Sequence, residues 1–147
     1  MADFKQIIEN LYVSGQIQAS DLQSAHDLGC KTIIMNRPEG EEKGQPESDS
    51  LKAAAADLGM TWHDIPVVGG QISLDSAEAM GKAIADSQGK TLAFCRTGTR
   101  SCILWGLSEA MMGSTDIAAI LTHAQKAGYD LSQFENTLTD IRNGLQG

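Results

Sequence analysis

The chain has 147 residues, which is one domain's length, and its 41% hydrophobic and 20% charged composition excludes a disordered segment. Its formal net charge of -8 excludes a nucleic-acid binder, because holding a phosphate backbone takes clustered Lys and Arg. No apolar run approaches the roughly 18 residues that span a bilayer, and "MADFKQIIENLYV" lacks the basic start of a signal peptide, so a cytoplasmic protein without a membrane partner is expected.

In chain order, "NLYVSG" (Asn10–Gly15) reads as a first strand running into a turn. "ASDLQSAHDLG" reads as a helix with Ser20 as its N-cap and Gly29 as its stop. Cys30–Asn36, "CKTIIMN", is a β-branched strand of the kind buried on both faces of a sheet. Arg37–Ser48, "RPEGEEKGQPES", is a loop by its Gly, Pro and Glu content, placed beyond the C-terminal end of a strand, where open α/β sheets put their sites. A helix over Asp49–Gly59, a strand over Met60–Val67, a break at "VGGQIS" and a helix over Leu74–Ser87 follow. Lys90–Phe94, "KTLAF", is the last strand.

Beyond it the chain is helical: "SCILWGLSEAMMG", then "STDIAAILTHAQKAG" with a start at Ser114–Asp116 and a stop at Gly128, then "DLSQFENTLTDIRNG". These three closing helices read as core that carries no chemistry. Strands alternating with helices predict a single α/β domain over residues 1–147, with a largely parallel central sheet flanked by helices.

The chemistry concentrates in "FCRTGTRSC", Phe94 to Cys102. Two of the chain's four arginines, Arg96 and Arg100, fall in this one loop of an acidic protein. A strand–loop–helix with a glycine presents unpaired amides and the positive end of a helix dipole, which together hold an anion. Cys95 at the start of such a nest is favoured as the thiolate. Arg100 offers a planar fork of donors to an oxyanion. Gly98 lets the backbone curl, and the hydroxyls of Thr97, Thr99 and Ser101 are in reach of a thiolate or of the loop itself.

The remaining cysteines carry less. Cys30 in a hydrophobic strand is inert core, and Cys102 on the first helical turn is packing or a resolving thiol. No Cys/His spacing suits a metal, and no cofactor is expected. His63 and His123 have no spacing that makes either a base for Cys95. Arg37 is placed to touch the substrate or to pair with Glu39, Glu41 or Glu42.

"NLYVSGQIQASDLQSAHDLGCKTIIMNRPEGE", "IPVVGG" and "FCRTGTRS" resemble the bacterial phosphatase-like family found as the N-terminal part of beta-lactamase-hydrolase-like proteins. That resemblance implies a fold similar to the dual-specificity and tyrosine phosphatases. It also implies Cys95 as nucleophile, Arg100 as the anion-holding arginine and Arg96 to Thr99 as the cradle.

Three departures pull the chemistry away from phosphate. Four residues rather than five separate Cys95 from Arg100, as in a rhodanese loop; Phe94 stands where phosphatases have His; and "VVGG" (Val67–Gly70) stands where their general acid belongs. Asp64 and Asp75 are poor substitutes for that acid. The expectation is therefore a sulfurtransferase working through a Cys95 persulfide, on a small anionic sulfane-sulfur donor and a thiol acceptor. The alternatives are a phosphatase working through a Cys95 phosphocysteine, and a non-enzymatic anion-binding or redox-sensing module.

Overall fold

The structure, a computed structural model of the chain, describes residues 2–68, 71–113 and 115–144. Its elements are β1 (Lys5–Ile8), β2 (Leu11–Ser14), α1 (Ala19–Asp27), β3 (Cys30–Met35), α2 (Ser48–Asp57), β4 (Thr61–Asp64), α3 (Leu74–Asp86), β5 (Lys90–Phe94), α4 (Thr99–Met112), α5 (Ile117–Lys126), a 3₁₀ turn (Ser132–Phe134) and α6 (Glu135–Gly144). The five strands lie in the order β1-β2-β5-β3-β4. β1 is antiparallel to β2, and every other pairing is parallel. The expected α/β domain with a largely parallel sheet is what forms.

Side chains alternate across the sheet with the strand period of two. Leu11, Val13, Ile34 and Ala93 pack under α3 to α6, while Tyr12, Ile33, Met35, Leu92 and Phe94 pack with residues of α1 and α2. Both faces are therefore dry, and β3 and β5 at the centre are covered apart from Lys31 and Lys90 at their starts.

α4 is the helix most enclosed by this core. From Ser101 to Ser108 every residue is buried. Arg142 of α6 reaches its C-terminal end, donating to the carbonyls of Glu109 at 2.8 Å and Ala110 at 3.3 Å. A cation there complements the negative end of the helix dipole. The closing helices thus hold α4 from behind, while its opposite end faces the loop that carries Cys95.

Four local expectations change. β1 was not foreseen: in "KQII" only Ile7 is buried, so a four-residue edge strand leaves almost no hydrophobic pattern. Ser20 lies inside α1, and the helix is instead opened by Asp21, whose carboxylate accepts the Gln18 and Ala2 amides at 2.8 and 3.1 Å. The strand expected to reach Val67 stops at Asp64, two residues before Pro66. Even so, Ile65 and Val67 still donate to Met35 and Asn36. The third closing helix begins only at Glu135, after the 3₁₀ turn. The Ser114 start and the Gly69–Gly70 pair lie outside the described residues.

Candidate active site

The C-terminal ends of β2, β3, β4 and β5 point the same way, so the four segments that leave them converge. β5 delivers Cys95, whose amide donates to the Ser14 carbonyl of neighbouring β2 at 3.2 Å. The Gln16 amide in turn donates to the Arg96 carbonyl at 3.4 Å. This close approach needs Gly15, because a Cβ there would stand 2.9 Å from the Arg96 oxygen.

The loop turns at Gly98, which is left-handed at φ 93° and caps α4. The first intrahelical bond runs from the Cys102 amide to the Gly98 carbonyl at 2.9 Å. The amides of Thr99, Arg100 and Ser101 precede it and have no helical acceptor. The Gly98 amide points back, donating to Cys95 Sγ at 3.0 Å. Cys95 itself has no exposed surface.

Arg100 lies beside that sulfur. Its hold on its proton is strengthened by Glu41 first and, against the effect of burial, by the charge of Cys95. Its two terminal nitrogens are engaged with Glu41, Nη1 at 2.8 Å and Nη2 at 2.9 Å, and Nη1 also donates to the Val67 carbonyl at 2.6 Å. Val67 belongs to the segment after β4, so this arginine ties three loops together.

Arg37 is buried and pairs as one of its two expected alternatives. Its donors go to Glu41 at 2.9 Å, Glu42 at 3.2 Å and Gln16 at 3.0 Å. Glu39, the third carboxylate offered by the sequence, instead accepts the Ser48 amide at the start of α2. Arg96 is largely exposed and pairs with Glu42 at 3.1 Å. Thr97 and Thr99 bond to each other through their hydroxyls at 3.0 Å, and the buried Ser101 hydroxyl has no protein partner.

Glu41 is the feature the sequence did not single out. Its carboxylate sits between two guanidinium groups. Arg100 first, then Arg37 against the opposing effect of burial, holds it well below the ordinary 4.5, at about 2. A folded-state value below the unfolded one means the clamp's stabilisation is complete above about pH 4.5 and is lost as pH falls through about 2. Thermal melts between about pH 5 and pH 2 should therefore show the wild type losing more stability than Glu41→Gln, which has no proton to gain. Parallel curves would mean that the clamp contributes nothing.

Other sequence candidates are drawn away from the loop. Phe94 is buried on the α1/α2 side of the sheet, edge-on to Trp62 at 5.9 Å, so it packs and does not face a substrate. Against the upward push of burial, Lys52 and the Trp62 indole hold Asp64 below its usual range, with Lys52 at 2.7 Å. It is an ionised partner and not a proton donor. Asp75 is exposed on the first turn of α3, and His123 packs edge-on to Trp105 at 6.3 Å. His63 lies on edge strand β4. Burial pushes the Cys30 thiol up to about 11, and burial with the Cys95 charge pushes Cys102 up to about 12, so both stay protonated.

Among the described residues no helix is long and apolar enough to cross a membrane. Residues 3–112 match the family model described as beta-lactamase hydrolase-like protein, phosphatase-like domain. A beta-lactamase hydrolase-like protein of Xylella fastidiosa is 36% identical over 129 residues, 86% of this chain but 30% of that protein. The chain thus spans less than a third of the length of that relative. The crystal structure of a candidate phosphatase from Neisseria meningitidis superposes with a TM-score of 0.81 at 36% identity, covering 94% of this chain and 97% of the other. Kinase-associated phosphatase, solved with its catalytic-site cysteine changed to serine, shares the fold at 16% identity with a TM-score of 0.71, over 100% of this chain and 96% of its own.

Proposed function

From the premise that this chain belongs to the phosphatase-like domain family of beta-lactamase hydrolase-like proteins, we propose that it hydrolyses phosphate monoesters through Cys95. The observation that carries the reading is the Cys95 sulfur held by the Gly98 amide at the start of α4, beside Arg100. Family membership supports this chemistry over the sulfur transfer favoured by the spacing alone, and the expected order of the two is reversed.

The Cys95 thiolate attacks phosphorus, forming an S–P bond as the ester P–O bond breaks and the leaving oxygen departs with its electron pair. Arg100 and the first-turn amides of α4 that lack a helical acceptor hold the charge that spreads over the phosphoryl oxygens. Water then attacks the phosphocysteine, the S–P bond breaks back to thiolate, and inorganic phosphate leaves with the water's oxygen and one of its protons, the other passing to solvent, from which the leaving oxygen takes its own. Glu41 occupies the two terminal nitrogens that the phosphoryl group needs, so substrate displaces it.

Among the described residues, no acid near this loop is poised to protonate the leaving oxygen. Asp64 is tied to Lys52, Glu41 is ionised on two arginines, and Asp75 is exposed on α3. General-acid help is typically worth 10²–10⁴-fold, so an aryl phosphate should turn over at least about 10²-fold faster than an alkyl phosphate, with inhibition by vanadate. Equal rates on the two would overturn the assignment of an acid-poor site. No vanadate-sensitive hydrolysis of either would overturn the phosphatase reading.

Sulfur transfer remains as a second reading because four residues, not five, separate Cys95 from Arg100. A ring one residue shorter has one amide fewer for a phosphoryl group. Its mark is a persulfide on Cys95 after thiosulfate treatment, followed by mass spectrometry. Its thiol acceptor stands or falls with that result.

A further inference from the structure

We infer that Tyr129 is a positioning residue for Cys95, acting through the single peptide unit that joins Thr97 to Gly98. The inference rests on the reading above only in taking Cys95 as the reactive thiol. The Tyr129 hydroxyl donates to the Thr97 carbonyl at 3.2 Å. The amide on the other side of the same planar unit is Gly98 N–H, which donates to Cys95 Sγ at 3.0 Å. One peptide thus receives a hydrogen bond at its oxygen and gives one at its nitrogen.

Two consequences follow from that geometry. A bond accepted at the carbonyl polarises the amide and strengthens the bond it donates, by about 10–30%. It also fixes the plane of the unit, so the N–H stays aimed at sulfur and cannot turn away at the permissive Gly98. Tyr129 is packed directly on that glycine: a Cβ at Gly98 would run into the Tyr129 hydroxyl. Burial, then the charges of Cys102 and Cys95, push Tyr129 up to about 12, so the hydroxyl keeps the proton it donates.

Tyr129 follows Gly128, the left-handed stop after α5, and lies beyond residues 3–112 that match the family model. Its amide donates to the Ala124 carbonyl at 2.9 Å, which sets the side chain's origin at the end of the helix. Nothing in the family match assigns it a role.

The rate of Cys95 alkylation by iodoacetamide, followed against pH by mass spectrometry of the Cys95 peptide, tests this. Besides Asp3, whose charge acts on Tyr129, the groups facing Cys95 and its partners are Arg100 and Cys102 from α4, Tyr129, and Glu41 through Arg100. Cys102 and Tyr129 are held near 12 and Glu41 near 2, and Arg100 is raised, so none of them titrates between about pH 5 and pH 10 and the profile reports Cys95. Tyr129→Phe should move the profile's midpoint up by roughly 0.3–1 pH unit, with slower alkylation below it.

Leu131→Ala, which empties a buried position two residues on, should lower the melting temperature without moving the midpoint. The inference is overturned if Tyr129→Phe leaves the midpoint in place, if Leu131→Ala moves it equally, or if Cys95 resists alkylation altogether. Because the assay needs no phosphate ester, a wild type inactive on phosphates would overturn the proposed function and leave this result standing.

Discussion

Cys95→Ser is expected to lower turnover of an aryl phosphate by at least about 10⁴-fold, the scale on which enzymes lose activity when their nucleophile is removed. The cause lies in the loop's construction. The Gly98 amide donates to a large, soft acceptor at 3.0 Å, a place that sulfur fills and a smaller hydroxyl oxygen does not. A serine hydroxyl stays protonated at neutral pH, and no base stands within the loop to take its proton. His63 is on an edge strand and His123 is against Trp105. The substitution leaves Arg100 and the amides in place, so inorganic phosphate or vanadate should still bind. Steady-state kinetics and a vanadate titration on the same variant separate the two effects. Retention of more than a tenth of wild-type activity would place the nucleophile elsewhere.

Arg100→Lys should cost roughly 10²–10³-fold in kcat despite keeping the charge. The guanidinium uses both terminal nitrogens on one carboxylate in the resting structure, and the same pair of parallel donors is what two phosphoryl oxygens require. A lysine presents one compact ammonium and cannot hold two oxygens in that plane while also donating to the Val67 carbonyl. The larger change should fall on kcat, because charge accumulates on the phosphoryl oxygens as the transition state forms. An equal rise in KM with kcat unchanged would show that Arg100 only binds substrate.

These two variants differ in what they disturb. The Cys95 amide donates to the Ser14 carbonyl, a contact that serine can keep. Arg100 links the segment after β4, the loop after β3 and the nucleophile loop, so its removal also frees Glu41 to rest on Arg37 alone. Circular dichroism and melting curves of Arg100→Lys therefore belong beside its kinetics. A loss of activity with an unchanged melt is the result that assigns the effect to chemistry.

Much of the fold was legible in the chain. The strands at Cys30–Met35 and Lys90–Phe94 are apolar runs of the right length, and Gly29, Gly59 and Gly128 end helices in left-handed conformations that other residues resist. β1 escaped notice because a short edge strand with one buried residue has no period to detect. Ser20 was the wrong cap because Ser, Asp and Gln all stand near the start of α1. Which of them closes it depends on Asp21 also receiving the Ala2 amide from far along the chain.

Spacing placed Cys95, Gly98 and Arg100 in one loop between a strand and a helix, which is a local object. Spacing favoured sulfur transfer where the family match supports phosphate chemistry, because the count of residues between Cys95 and Arg100 says how many amides a ring holds and not which family built it. The identity of the partners was not local at all. Glu39, Glu41 and Glu42 sit within four positions, yet Glu39 accepts the Ser48 amide, Glu41 bridges two arginines and Glu42 binds Arg37 and Arg96.

The order of residues by itself determined that a cysteine would leave a buried central strand, turn at a glycine and enter a helix with an arginine in its first turn. Those features depend on neighbouring dihedrals and on hydrophobic period, both of which act within a few positions. Only the tertiary structure decided that a carboxylate would rest in the arginine's fork and that a tyrosine 34 positions beyond Cys95 would bond to its loop. Such contacts depend on where whole helices and loops come to lie after the core has packed, and a side chain's reach from that position selects its partner.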